Sequence, residues 1–255
     1  MVSYAGKHAK YYDIFYQEKP YATEAAFVHE CLNRYKKGEC KRLLELACGT
    51  GNHAFELEKL GYQIVAIDYS EDLLAVARSK AHKIGSQVDF RVQDMRELSL
   101  GNAVFDAAYC LFDSIGYVQT NTAFRQVLGG VHAHLRTDGL FIFEFWHAAA
   151  MLKNYEPKRE RQWPIKDGKL VRVASTQLDV VKQLAKVTYD IDEIRNDGTS
   201  SHLQETQVNR YFLLQEMAGF LESAGFDPIE WLAAYSWEQA INEDTWHILC
   251  IARNT

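Results

Sequence analysis

One stretch of the sequence, LLELACGTGNHAFEL at residues 43–57, combines a carboxylate with a glycine-rich turn. Glu45 lies inside an apolar run that is typical of a buried strand, and Gly49 and Gly51 follow before a helix-like pattern begins. A glycine turn between a strand and a helix lets the backbone approach a ligand closely. The segment therefore predicts a ligand site at the end of the strand, with an acid held beside it.

Two further acids end the next strands of the pattern. Asp68 ends the segment QIVAID at 63–68, and Asp94 ends VDFRVQD at 88–94. The carboxyl ends of parallel strands form one edge of a sheet, so we expect both acids to lie near Glu45. Asp68 could bind both ribose hydroxyls of an adenosine, and Asp94 its exocyclic amine. An adenosine with a cationic amino-acid tail would use all three acids, and S-adenosylmethionine is such a ligand.

The elements that must position these acids form a regular pattern. Between Lys41 and Trp146, short apolar runs alternate with helical patterns, which is typical of parallel βαβ units. Alternating segments such as KVTYDIDEI (186–194) follow and predict an antiparallel sheet, before a helix and two closing strands. We predict an α/β fold with a doubly wound, mostly parallel seven-stranded sheet. Its predicted parts are an N-terminal helical lid at 1–40, an α/β domain at 41–146 and 211–255, and an inserted antiparallel substrate-binding sheet at 147–210.

Composition limits the classes of function. The 255 residues suit one large domain with an insertion. The net charge of -6 argues against a nucleic-acid partner. There is no apolar run long enough to cross a bilayer and no apolar signal core, and the five cysteines form no CxxC pair. We therefore expect a cytoplasmic protein with no membrane partner, and a homodimer is compatible with the sequence.

Five motifs are similar, in order and spacing, to those of class I S-adenosylmethionine-dependent methyltransferases: ELACGTG, AIDYS, QDMREL, FDAAYCLFDSIGYV and LFIFEFW. They cover residues 42–146, and the tail FLESAGF with its two strands also fits that Rossmann-like fold, whose last strand runs antiparallel. The N-terminal YYDIFYQEKPYATEA (11–25) and the inserted sheet narrow the resemblance to small-molecule N-methyltransferases that dimethylate nucleotide-linked amino sugars. The resemblance implies S-adenosylmethionine as the cofactor and a small-molecule amine as the acceptor.

The resemblance also implies which residues hold the cofactor. Glu45, Ala47 and Gly49 would lie at the methionyl end, and Asp68 at the ribose. With the glycine turn and the AIDYS motif included, the candidate cofactor-binding residues are Tyr12, Tyr21, Glu45, Ala47, Gly49, Gly51, Asp68, Tyr69, Asp94, Met95 and Leu111. Within this set, Asp94 and Met95 would contact the adenine, Leu111 the sulfonium, and Tyr12 and Tyr21 would cover the cofactor.

The acceptor side is predicted from side chains near the expected methyl position. Methyl transfer needs the nucleophile aligned with the methyl more than it needs a strong base. We expect Tyr16 and Tyr117 to provide that alignment, with His147 as a third candidate. The amino-sugar enzymes tend to carry a histidine at the position of Tyr117. Because no histidine or cysteine grouping has metal-ligand spacing, we predict no metal, and we interpret the basic run KRER (158–161) as a solvated surface.

Several alternatives remain open from the sequence. The acceptor atom could be oxygen or carbon instead of nitrogen. The absence of an Asn/Asp-Pro-Pro-Tyr motif after the fourth strand argues against a nucleic-acid base as acceptor. A nicotinamide oxidoreductase on a related fold is disfavoured by Glu45 inside the first strand, and an idle adenosine-binding module by the intact motif set.

Overall fold

The computed structural model of the protein describes residues 7–255, with side chains described from residue 9 onward. The first six residues of the predicted lid, which include Tyr4, lie outside the described residues. The helices are α1 (Lys7–Phe15), α2 (Tyr21–Tyr35), α3 (Asn52–Lys59), α4 (Glu71–Ile84), α5 (Asn121–His134), α6 (Ala148–Asn154) and α7 (Leu214–Ser223).

The strands form two sheets. The larger sheet contains β1 (Arg42–Leu46), β2 (Gln63–Asp68), β3 (Asp89–Val92), β4 (Phe105–Cys110), β5 (Leu135–Trp146), β10 (Phe226–Ala233) and β11 (His247–Asn254), and the smaller one contains β6 (Lys158–Ile165), β7 (Gly168–Asp179), β8 (Leu184–Arg195) and β9 (Ser200–Arg210). The order in the larger sheet is β10-β11-β5-β4-β1-β2-β3, and β11 runs antiparallel between β5 and β10. The other neighbouring pairs are parallel. The predicted fold class, a mostly parallel seven-stranded sheet with an antiparallel insertion, is confirmed.

Successive residues of the parallel strands pack on opposite faces of the larger sheet. Leu43 and Ala107 pack with α2, α3 and α4 on one face, whereas Leu44 and Ala108 pack with α5 and α7 on the other. Burial on both faces explains why these strands are continuous apolar runs in the sequence. With both faces covered, a ligand has access at the edge where the parallel strands end.

Strand β5 is longer than its apolar run LFIFEFW. It begins at Leu135 because the segment containing Asp138 stays in the sheet as an irregularity instead of forming a turn. The pairing shifts register between Phe105 and Ala107 on the neighbouring strand, and Asp138 adopts a left-handed conformation (φ +62°). The local sequence RTDG resembles a turn, so its pattern could not reveal this.

Helix α1 connects the two sheets. Phe15 packs against Trp163 of the small sheet, with ring centroids 4.9 Å apart. On its other side, Asp13 accepts a hydrogen bond from Thr50 Oγ1 at 2.7 Å and pairs with Lys80 Nζ at 3.0 Å. The N-terminal segment thus contacts both the α/β domain and the insertion, above the carboxyl edge of the parallel strands.

No helix in the described range 7–255 is long and apolar enough to span a membrane.

Candidate active site

Three adjoining cavities lie along the carboxyl edge of the parallel strands, and all three are lined in part by Ala47. The central cavity has a volume of about 550 Å³ and lies between Gly49 on the sheet side and Arg172 on the insertion side. The Asp94 cavity, of about 180 Å³, is lined by Asp94 and its neighbours. The Glu45 cavity, of about 20 Å³, lies at the end of β1.

The glycine turn has a structural reason for its composition. Gly49 and Gly51 have φ values of +56° and +79°, which favour glycine. A Cβ on Gly51 would lie 2.7 Å from a ring carbon of Phe90, so a side chain cannot be placed there. Gly51 lines none of the three cavities. We interpret it as the residue that shapes the turn, while Gly49 and Ala47 face the ligand space.

The Glu45 cavity contains two buried polar atoms without partners. Glu45 is 2% exposed, and its Oε2 has no hydrogen-bond partner within residues 7–255. The hydroxyl of Tyr21 is in the same situation, and Tyr12 and Leu111 are among the other residues that line this cavity. Burial raises the pKa of the Glu45 carboxyl well above its ordinary range, and the charge of Asp68 adds to this effect. Such atoms fit a ligand that supplies a cation and an acceptor.

Asp68 ends β2 as the sequence predicted, whereas Asp94 lies two residues beyond β3, which ends at Val92. Both acids already have protein partners. Asp68 accepts backbone N–H bonds from Gly49 and Ser70, each at 2.8 Å, so it fixes the glycine turn as well as facing the cavities. Asp94 pairs with Arg96, whose hydrogen bonds lower the pKa of the Asp94 carboxyl. The motif pattern did not reveal these partners, because backbone donors and a surface arginine leave no distinctive spacing.

The predicted aromatic residues differ in how they are held. Tyr16 and Tyr117 both line the central cavity. Tyr117 donates a hydrogen bond to Gln207 Oε1 of β9 at 3.0 Å, which ties the α/β domain to the insertion. Tyr16 packs edge-on against Phe112 at a centroid distance of 4.9 Å. Tyr69 and Met95, predicted from the motifs, line the Asp94 cavity.

His147 does not occupy the predicted position. Its ring is buried and lies against the carbonyl of Thr245, with Nδ1 3.1 Å from that oxygen. It lines none of the cavities described here, and burial lowers its pKa. The cavity positions near the end of β5 belong to Trp146 and to His247 of β11. His147 directly follows β5 as the N-cap of α6, and its burial beside Thr245 keeps it away from the cavities.

The insertion contributes positive charge to the central cavity. Arg159, Arg161 and Arg172 all line it. Arg159 and Arg161 of KRER are exposed, as predicted, and both also line the cavity from one side of β6 because side chains alternate along a strand. The two-residue spacing of these arginines is the sequence feature that could have predicted their position on one face of a strand.

Arg172 is the most constrained of these cations. It is 9% exposed, and its Nη1 is buried without a hydrogen-bond partner in the described part of the chain. Its guanidinium lies 4.7 Å from the ring centroid of Phe15, 4.9 Å from that of Trp163 and 5.0 Å from that of Tyr189. No carboxylate forms an ion pair with it among the described residues. A buried guanidinium without a carboxylate partner has a donor left for an anion.

A second large space adjoins the central cavity. This outer cavity, of about 500 Å³, extends toward Met151, Tyr155 and Trp246. It shares Arg172 and His247 with the central cavity. A ligand that reaches from one cavity to the other would therefore pass these two side chains.

Asp113, Glu144 and His247 meet beside the central cavity. One potential ligand atom of each lies within 4.8 Å of the others. They come from the loop after β4, from β5 and from β11, so no sequence spacing could have linked them. The predicted absence of a metal was based on spacing alone.

Residues 43–139 match the family model described as a methyltransferase domain. A Geobacillus (strain WCH70) protein named as a methyltransferase is 35% identical over 53% of this chain and 55% of its own length. A dTDP-3-amino-3,4,6-trideoxy-α-D-glucopyranose N,N-dimethyltransferase of Streptomyces venezuelae is 32% identical over 56% of this chain and 59% of its own. The chain thus spans little more than half the length of these relatives.

The likeness to solved structures covers nearly the whole fold. The crystal structure of an S-adenosylmethionine-dependent methyltransferase from Clostridium acetobutylicum superposes with a TM-score of 0.83, at 20% identity, over 97% of each chain. The predicted resemblance to class I methyltransferases is confirmed.

Proposed function

We propose that this chain, which carries a methyltransferase domain at residues 43–139 in a class I methyltransferase fold, transfers methyl groups from S-adenosylmethionine to the amine of a nucleotide-linked amino sugar. The observation that supports this choice of acceptor is Arg172, whose Nη1 has no hydrogen-bond partner among the described residues and which lies where the central and outer cavities join. We further infer a cytoplasmic location, which is compatible with the five unpaired cysteines.

The cofactor fits the polar atoms at the sheet edge. The free oxygen of Glu45 suits the α-ammonium of the methionyl part, and the free hydroxyl of Tyr21 suits its carboxylate. Asp68 still has lone pairs for ribose hydroxyls, and Asp94 and Met95 line the space for adenine. The cofactor supplies an already activated methyl group on a sulfonium. The protein therefore has to hold the cofactor, align the acceptor with the methyl group and exclude water from the site.

The acceptor fits the opposite wall. A nucleotide-linked sugar has its diphosphate between the sugar and the nucleoside. Arg172 and Arg159 lie between the central cavity and the outer cavity, where a diphosphate would lie with the sugar directed inward. The outer cavity offers Tyr155 and Trp246 for a base. The relatives' activity on dTDP-amino sugars supports this choice of acceptor.

The residues at the reaction centre act mainly by alignment. Tyr16 reaches the central cavity from the segment above the sheet edge. Its phenol can accept a hydrogen bond from the attacking amine and hold the lone pair toward the methyl. The proton that the amine loses passes to solvent water.

The test is methyl transfer to matched acceptors. The chain is incubated with S-adenosylmethionine and a dTDP-3-amino-3,6-dideoxyglucose, the same sugar without the nucleotide, or the nucleotide sugar with a hydroxyl in place of the amine. We expect a mass gain of methyl groups with the first compound only. Methylation of the hydroxyl compound, or of none of the three, would contradict the proposal.

Arg172→Met tests the anion position. We expect it to raise the KM for the dTDP-amino sugar by about tenfold to a hundredfold, as for the loss of a charged hydrogen bond. Affinity for the cofactor should not change. Arg91→Met is the control, because Arg91 is a surface arginine paired with Asp89.

A further inference from the structure

The histidine clamp, formed by Asp113, Glu144 and His247, is not explained by binding of the cofactor. Nδ1 of His247 lies 2.9 Å from Asp113 Oδ2 and 3.2 Å from Glu144 Oε1. The two acids are each 3% exposed, so both carboxylates are held away from solvent. One imidazole ring nitrogen therefore lies within ion-pair distance of two buried carboxylates, although its N–H is not aligned on either oxygen as a hydrogen bond.

The two acids are themselves fixed in place. Oε2 of Glu144 accepts hydrogen bonds from the Phe112 backbone N–H at 2.8 Å and from the Tyr235 hydroxyl at 2.9 Å. Phe112 and Asp113 both adopt left-handed conformations, with φ of +57° and +54°, which residues with a Cβ rarely adopt. Such local strain is kept when the surroundings determine it, and it concentrates at functional sites.

The charges in the clamp place a proton on the ring. The charge of Asp113 raises the pKa of His247 to about 11 against the opposing effect of burial, and Glu144 adds to the rise. Burial raises the pKa of Asp113 to about 6. Other titratable groups near the clamp are Lys19, Tyr235 and Cys110. These charges favour the imidazolium form of the ring near neutral pH, in which its charge offsets one of the two carboxylates.

The ring is accessible from the ligand side. The His247 side chain is 41% exposed and lines both the central and the outer cavity. Because Nδ1 faces the acids, Nε2–H is the ring position left for a ligand. An imidazolium has two donors and no lone pair, so it cannot take a proton from an amine and it repels an ammonium. Its suitable partner is an oxygen.

We infer that His247, ion-paired with Asp113 and Glu144, is a hydrogen-bond donor that binds an oxygen atom of the acceptor beside the site of methyl transfer. The inference rests on the proposed function in that the acceptor enters the central cavity. The oxygen belongs to a sugar hydroxyl or to a phosphate. In either case the donor fixes the acceptor's orientation and leaves the amine lone pair free.

The charge on the ring is measured without any substrate. The full chain is labelled with ¹⁵N-histidine, and the His247 ring signals are assigned by their loss in His247→Gln. We expect the chemical shifts of a doubly protonated ring from about pH 6 to about pH 9, well above the ordinary imidazole range near 6.5. A neutral His247 ring at pH 7 would overturn the inference, whether or not the proposed acceptor is right.

Binding of the acceptor is measured by calorimetry with two probes, a dTDP-3-amino-3,6-dideoxyglucose and thymidine diphosphate. We expect His247→Phe to lower the affinity for the sugar nucleotide by about tenfold to a hundredfold. His247→Gln, which keeps a neutral donor, should lower this affinity by less. His202→Gln is the control, because His202 pairs with Asp192 on the exposed side of the insertion. Cofactor affinity should be unchanged in all three variants.

The two probes distinguish the sources of the oxygen. If the His247 variants lose affinity for both probes, His247 contacts a phosphate oxygen. If they lose affinity for the sugar nucleotide alone, His247 contacts a sugar hydroxyl. Unchanged affinity for both probes in His247→Phe and His247→Gln would overturn the inference. So would stoichiometric binding of Mn²⁺ or Zn²⁺ that Glu144→Gln abolishes, because the metal would then take the place of the proton. If the wild-type chain binds neither probe, the proposed acceptor is wrong, and the ring measurement still decides the charge of His247.

Discussion

Glu45 is buried as an acid whose charge depends on its ligand. In the free chain, burial raises its pKa, so the carboxyl holds its proton to a higher pH than usual. A cationic ammonium at the same place favours the ionised form. We therefore expect S-adenosylmethionine binding to release a proton, and affinity to rise with pH up to the pKa of the free chain. Calorimetry in two buffers of different ionisation enthalpy measures the released proton.

Glu45→Gln separates this effect from other titrations. The variant should bind the cofactor without releasing that proton, and about tenfold to a hundredfold more weakly. Since the pKa is raised in the fold, ionised Glu45 also lowers the stability of the free chain as pH rises, and the variant should lack this dependence. Glu238→Gln, at an exposed position, is the control. Equal proton release in wild type and Glu45→Gln would show that another group is responsible.

Tyr16 and Tyr117 should differ in their contribution to turnover. The Tyr117 hydroxyl is engaged by Gln207, whereas Tyr16 contacts Phe112 through its ring. We expect Tyr16→Phe to lower kcat by about ten- to a hundredfold, as for a lost orienting hydrogen bond, and Tyr117→Phe to act mainly on the acceptor KM. Steady-state kinetics with the dTDP-amino sugar measures both. Identical effects of the two substitutions would contradict a distinct role for Tyr16.

Residues whose roles follow from their own strand could be predicted from the sequence. Asp68 and Asp94 end apolar runs, and parallel pairing brings such ends together at one edge. The role of His247 could not be predicted, since it depends on Asp113 and Glu144 from distant segments. Arg172 has no motif at all, because its place beside Phe15 and Trp163 depends on how the insertion meets α1.

At the scale of elements, α1 is the part that both sheets share. Removal of residues 1–19 would expose Trp163, Leu170 and Ile191, which α1 covers. The α/β domain should keep its fold, because its two large cores are built from other elements. We expect methyl transfer to fall about a hundredfold or more, since alignment and water exclusion are both lost. Hydrogen exchange should increase in β6–β8 and not in β1, β2 and β4.

Phe15→Ala is the matched control for the truncation. It keeps α1 and Tyr16 but removes the contact with Trp163, so it should loosen the insertion with a smaller loss of activity. Full activity in the truncated chain would mean that the N-terminal segment only fills space. The helix itself was predictable from its aromatic pattern, but its double attachment was not, because Asp13 pairs with Lys80 across a long stretch of sequence.

At the scale of the whole molecule, the proposed function divides cofactor binding and acceptor binding between the two sheets. Replacement of residues 156–210 by a short glycine-serine linker removes all three cavity arginines and keeps Glu45 and Asp68. We expect the shortened chain to bind S-adenosylmethionine, with reduced affinity because α1 loses its partner, and to methylate no nucleotide sugar. Calorimetry and mass spectrometry test the two halves of this expectation. Retained methylation would place the acceptor site elsewhere.

The cavities lie on different sides of the reaction centre. The Glu45 cavity is covered by Tyr12 and Tyr21, whereas the outer cavity is reached past Tyr155 and Trp246. For the proposed nucleotide-sugar acceptor, this arrangement predicts that the cofactor exchanges on the side of the N-terminal segment while the acceptor stays bound to the insertion. We then expect a second methyl group to reach the same amine before release whenever the sugar nucleotide stays bound for longer than cofactor exchange takes.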